Sequence, residues 1–164
     1  MGTIQIHEMT NTNTGVDKTS DTVRFKSADE TTVDNSNRLL IPSAGTTRSY
    51  TKHLRAYVSA APSVDFTALE AYSDGGSFSD TWVTVQYDVL QTWVASVTTD
   101  ISGTDLFTAT SLNPIDMNSW DATWTAGEGT GYWGSVLRLQ MEVGTGASPG
   151  SLTAETLTFS YSET

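Results

Sequence analysis

The feature that most limits this chain is an alternation of apolar and polar residues with a period of two, with no sustained helical period anywhere. Residues 83–89 carry it most clearly: Val83, Val85, Tyr87 and Val89 face one way, and Thr84, Gln86 and Asp88 the other. Successive side chains of a strand point to opposite faces, so this pattern predicts a strand buried on one side. Leu54, Ala56, Val58 and Ala60 alternate with Arg55, Tyr57 and Ser59 until Pro62 ends the run. Phe66 to Tyr72 forms another run, closed by Ser73, Asp74 and two glycines. Leu137, Leu139, Met141 and Val143 alternate with Arg138, Gln140 and Glu142, and Leu157, Phe159 and Tyr161 with Thr158 and Ser160. The Gly-rich stretch 144–151 between these two predicts a hairpin or a sheet-crossing pair. Residues 3–9, Val23 to Ala28, Val94 to Thr99, Leu106 to Thr110 and Ala122 to Thr125 are shorter strand candidates.

Composition points the same way. The 164 residues include 28 Thr and 19 Ser but only 3 Lys. Thr is stiff at χ1 and fits a pleated surface, whereas helix surfaces favour Glu, Lys, Gln and Arg. Five Trp, six Tyr and five Phe supply a core. The expected fold is all-β: a single-domain antiparallel sandwich, jelly-roll-like, with an extended N-terminal segment. Residues 1–42 are poor in apolar side chains beyond Ile4, Ile6, Val23, Phe25 and the run Leu39-Leu40-Ile41. They read as an extended arm or edge strands, with residues 43–164 as the sandwich body.

Charge narrows function. The net charge is −11, and a chain this acidic lacks the clustered Lys and Arg that nucleic acid requires. The imbalance is local: residues 1–55 hold seven basic and six acidic side chains, and residues 56–164 one and thirteen. One reading is an ordinary acidic surface. The other is a dipolar molecule that docks through its N-terminal segment. Without cysteine there is no disulfide, thiolate zinc site or cysteine nucleophile. No apolar run approaches the roughly 20 residues of a membrane helix, and the N-terminus lacks the basic and apolar regions of a secretory signal. Ile6 stands where a myristoylation motif needs Ser or Thr. The expectation is a soluble protein made in a cytoplasm, with neither nucleic acid nor membrane as partner.

Motif matches to enzymes fail on chemistry. Gly146-Ala147-Ser148-Pro149-Gly150 fits G-x-S-x-G, but Pro149 has no N–H to serve an oxyanion hole, and both histidines precede it. Gly129 to Gly134 fits G-x-G-x-x-G, but a strand pattern follows where a dinucleotide site needs a helix, so a loop between strands is expected. His7 and His53 lie far apart without cysteine, against a transition-metal site. Asp74, Asp80, Asp105, Asp116, Asp121 and Glu128 sit in predicted loops without a calcium-loop spacing. No catalytic residue, cofactor or metal is expected, and the chain does not read as an enzyme. Trp120, Trp124, Tyr132 and Trp133 crowd together; they can stack on sugar rings, or pack on the core and cover one end of the sandwich.

Several short stretches resemble small virion proteins of tailed bacteriophages, capsid-decorating ones in particular. They are residues 3–8, Thr22 to Asp29, Leu40-Ile41-Pro42, Ser49 to Lys52, residues 71–76, Leu139 to Val143 and Glu155 to Tyr161. The resemblance implies a structural role on the capsid surface, as a decoration or cement protein bound to the major capsid protein. It implies no active-site residues. A tail, neck or head-fibre component is the alternative within that class, and a carbohydrate-binding module or adhesin using the Trp120–Trp133 aromatics is one outside it. Candidate docking residues are Arg24, Phe25, Lys26, Arg38, Leu40 and Ile41. Self-association, as a trimer, is expected because several linked weak contacts bind far more tightly than one.

Overall fold

The computed structural model describes residues 2–10, 14–74, 76–78 and 80–164. The chain is an antiparallel β-sandwich, 42% strand and 2% helix. Its strands are β1 (Thr3–Met9), β2 (Gly15–Asp17), β3 (Thr46–Arg48), β4 (Lys52–Ala60), β5 (Phe66–Ser73) and β6 (Val83–Leu90). They continue with β7 (Thr104–Asp105), β8 (Ile115–Asp116), β9 (Thr123–Trp124), β10 (Gly131–Gly144) and β11 (Leu157–Glu163). One sheet runs β2-β1-β4-β10-β6-β7, with β3 also on β10. The other runs β11-β5-β8, with β9 beside β8 on β5. From β4 to β5, β5 to β6 and β10 to β11 the chain crosses between sheets, whereas the long strands β6 and β10 both lie in the large sheet, with the short β8 and β9 of the small sheet between them in sequence.

The alternation read from sequence is the inner face of these strands. Ala56 of β4 lies opposite Ile6 of β1 and Trp133 of β10, and Leu139 of β10 opposite Tyr87 of β6. Against them the small sheet sets Phe66, Leu69 and Ala71, joined by Ile115, Met117 and Trp124 from its short strands and loops. The pair β10 and β11 crosses between sheets rather than closing a hairpin.

Four sequence expectations change. Thr3–Met9 and Gly15–Asp17 supply β1 and β2 at one edge of the large sheet, while 22–28 form no strand. Val23 and Phe25 instead pack on the core from an irregular segment. Residues 94–99 are also not a strand. They cross the outer face of the large sheet, where the Val97 carbonyl accepts from Thr51 N at 2.9 Å and Gln140 Nε2 donates to the Thr99 carbonyl at 3.1 Å. Leu106–Thr108 is a 3-10 turn capped by Asp105, whose carboxylate accepts from Phe107 N. Residues 131–134, expected in a loop, open β10 and lead into a bulge. The pairing with β4 jumps from Trp133 opposite Ala56 to Leu137 opposite Leu54. Gly134 is required there: its φ is +69°, and a Cβ would stand 2.4 Å from Leu69 Cδ2 and 3.0 Å from the Met117 carbonyl.

Candidate docking groove and outer-face cluster

The small sheet is shorter than β10, and the inter-sheet space is left open where it ends. The opening is a cavity of about 1080 Å³. Its floor is the C-terminal half of β10 and the start of β6, with Met141, Val143, Val83 and Val85; Leu157 and Phe159 of β11 form one wall. The irregular segment 18–41 forms the opposite rim. All six candidate docking residues, Arg24, Phe25, Lys26, Arg38, Leu40 and Ile41, line this one cavity. Sequence reasoning missed the walls contributed by β10 and β11, because their apolar residues look like ordinary core positions.

The six do not have equal standing. Leu40 is 76% exposed and Ile41 38%, so the rim carries apolar surface in water. Phe25 is half-buried against the core. Lys26 is buried, and its ammonium is held inside the molecule by Asp34 at 2.6 Å, Glu30 at 2.8 Å, Thr32 Oγ1 at 3.1 Å and Ser36 Oγ at 3.4 Å. Burial works against that ammonium, yet the hydrogen bonds to Asp34 and Glu30 raise its pKa above the usual lysine value. The same bonds lower both carboxylates, Glu30 to about 2. Lys26 is therefore a clamp for loop 27–37 rather than a free charge for a partner. Lys18 pairs with Asp21 at 2.9 Å, and Lys52 with Glu8 at 2.8 Å and with the Glu30 carbonyl. Arg48 pairs with Glu142 and Asp100, Arg138 with Asp88, and Arg55 lies on Trp120. Among the described residues, Arg24 and Arg38 are the basic side chains that meet neither a carboxylate nor a ring, and both are exposed at this groove.

The aromatic group divides. Trp133 and Trp124 are buried core residues, so they present no face to a sugar. Trp120 is 43% exposed, and Tyr132 half-buried, on the outer side of the large sheet. The bulge of β10 organises them: Ser135 N donates to the Met117 carbonyl at 2.7 Å, Trp120 N to Ser135 Oγ, and Arg55 Nε to the Gly134 carbonyl at 3.0 Å. The Arg55 guanidinium consequently lies 3.9 Å from the Trp120 ring centroid and 5.5 Å from that of Tyr132. His7 stacks on Tyr57 at 4.6 Å and meets Tyr132 edge-on. Burial lowers the His7 pKa against the pull of Asp17. The outward positions of Arg55 and Tyr57 in the β4 alternation were the available signal for this cluster.

Five of the six loop carboxylates considered for calcium accept backbone hydrogen bonds, Glu128 from Thr125 N at 3.1 Å among them. Asp80 accepts from Trp82 N at 2.9 Å and Ser148 N at 2.6 Å, Asp105 from Phe107 N, Asp116 from Asn118 N, and Asp74 from Gly76 N. Ser148, of the G-x-S-x-G match, lies in the loop before β11. Among the described residues no helix is long and apolar enough to cross a membrane. No family model, curated protein or solved structure matches this chain.

Proposed function

We propose that this chain is a bacteriophage virion structural protein, a decoration protein that docks on the outer surface of the assembled shell and stabilises it. The observation that carries the reading is the groove mouth, where Arg24 and Arg38, which meet no carboxylate among the described residues, stand beside exposed Leu40 and Ile41 on a molecule of net charge −11; Arg38 Nε donates to the Asn35 carbonyl at 2.9 Å. An apolar patch rimmed by charge marks an interaction surface. The resemblance of its short stretches to capsid-decorating proteins supplies the partner: the major capsid protein. A trimer on the particle, made in the host cytoplasm, completes the proposal.

Co-sedimentation with purified shells tests it. The full chain should pellet with shells, and the Arg24→Glu/Arg38→Glu variant should remain in the supernatant. Binding that weakens steeply with salt supports the arginines, because exposed charges are screened beyond about 8 Å at physiological ionic strength. Density on the tail or neck alone in an electron-microscopy map moves the chain to those positions, and the absence of any particle association defeats the reading.

A second reading rests on the Arg55–Trp120 stack. Trp120 with Tyr132, His7 and Arg55 offers an aromatic surface with polar tips, the chemistry of glycan adhesion. A glycan array that gives signal with the wild type and none with Trp120→Ala supports it.

A further inference from the structure

Strand β11 ends the small sheet. One of its edges is paired with β5, and among the described residues no strand takes the other. Natural edge strands are guarded by lysine, proline or a bulge. β11 carries neither lysine nor proline. The bulge in its ladder belongs to β5, where Leu69 and Ala68, the latter at φ +52°, oppose the single residue Tyr161. The free edge is thus regular for its whole length.

The inward side chains of β11 also lack full cover. Leu157 and Phe159 are half-buried, and both line the docking groove. They also line a second cavity of about 300 Å³ that continues toward Ile4, Leu69 and Tyr161. The inter-sheet space is therefore open beside Leu157 and Phe159 of the free edge, in a class of molecule whose interiors are otherwise close-packed. Charge singles out one end of it. The groove lining holds four cations and three carboxylates in a chain of net charge −11, and among the described residues Arg24 and Arg38 are its cations without a carboxylate partner.

We infer that the free edge of β11 accepts an extended strand from another protein, with apolar side chains at every second position and acidic residues beside Arg24 and Arg38. Backbone hydrogen bonds to β11 give the affinity, and the cavity receives alternate side chains. A second copy of this chain is a poor occupant. Pairing two copies about Phe159 brings Glu163 of β11 against Glu155, just before the strand, if antiparallel, and against itself if parallel, so like charges oppose in either arrangement. The inference rests on the docking reading for where a partner sits, but its test needs no virion, so the two fail separately.

The experiment uses the full chain and two synthetic peptides, Asp-Asp-Val-Thr-Val-Thr-Val-Thr and the same sequence beginning Lys-Lys, both capped at their termini. Binding is read by fluorescence anisotropy, and its location by residue-resolved hydrogen exchange. The acidic peptide should bind at least tenfold more tightly than the basic one and slow exchange of amides in 157–163 at least tenfold. Arg24→Glu/Arg38→Glu should invert the peptide preference; both residues are exposed, and circular dichroism checks the fold. If that variant misfolds, the two-peptide comparison on the wild type decides. No binding of the acidic peptide, equal binding of both, or protection at β2 in place of β11 overturns the inference. A chain that binds the acidic peptide but no shell retains the inference and loses the decoration reading.

Discussion

The two ends of the sandwich are built from the same strands and differ in what covers them. At one end the large sheet contributes Val58 and Trp133, the small sheet Phe66 and Leu69, and the adjoining loop Met117; all five are fully buried. Rings interlock there, with Phe66 5.0 Å from Tyr161 and 6.0 Å from Trp133 between centroids. At the other end β10 continues through Met141 and Val143, but the small sheet stops and an irregular polar loop takes its place. That loop is organised by ammoniums, Lys18, Lys26 and Lys52, instead of apolar contacts. Packing closes the first end without help. Ion pairs hold the second open with apolar residues on its rim, which is the arrangement a docking surface requires.

The largest expected effect is at the closed end. Trp133→Ala should destabilise the chain by about 3–5 kcal/mol, since a cavity in a close-packed region collapses poorly. Met141→Ala, on the groove floor, should cost about 1 kcal/mol, because a side chain already facing open space has less contact to lose. Chemical denaturation of the two variants checks this, and equal losses would erase the distinction between the ends.

The second effect is pH dependence located toward the open end. Strand β4 there places His53 on the covered outer face, opposite Met9 and Arg138. Burial, reinforced by the Arg138 charge, lowers its pKa to about 4 from the ordinary 6.5. Lys52 pushes the same way, and Asp29 and Asp88 oppose it. Between those values the unfolded chain binds a proton that the folded chain refuses. His53 therefore leaves stability intact above pH 6.5 and reduces it as pH falls toward 4, by up to roughly 3 kcal/mol in all. Glu8 acts in the opposite sense, because burial raises its pKa and acid relieves the cost of its charge. Thermal melts of wild type and His53→Gln at several pH values isolate the histidine: the variant should lose the slope, and identical slopes would exclude His53 as its source.

A third, smaller effect returns to the closed end. Gly134→Ala should cost about 2 kcal/mol, from left-handed backbone strain and the contact with Leu69. It should also weaken the Arg55–Trp120 stack, visible as a change in tryptophan fluorescence. The smallest is Leu40→Ser, within about 0.5 kcal/mol in stability because the side chain is exposed. Its consequence should be confined to partner binding.

The long strands were legible where one apolar face writes a period of two into the sequence, as in β4, β6, the second half of β10 and β11; the bulge in β5 breaks the period and puts Phe66 and Leu69, three apart, on one face. Strands of two residues, β7, β8 and β9, carry no period to read. Residues 94–99 look like a strand because they too bury side chains, but they do so by lying across a sheet instead of joining one. The Gly134 bulge was hidden in a glycine-rich motif. The aromatics could not be sorted from sequence: Trp133 faces the core from β10, and Trp120 lies in a separate loop tied to Ser135. Among the docking candidates the gathering of Arg24, Arg38, Leu40 and Ile41 follows from their closeness in sequence. The burial of Lys26 does not, because it depends on a loop folding back to surround its ammonium.

Hydrogen exchange of the chain alone at neutral pH, resolved by residue, tests the contrast between the ends most directly. Amides of β4, β5 and the first half of β10 should exchange only through global unfolding and share one free energy. Amides of β11 and of residues 22–41 should open at a free energy lower by at least about 2 kcal/mol. A single protection level across both groups would contradict the open groove and the docking surface built on it.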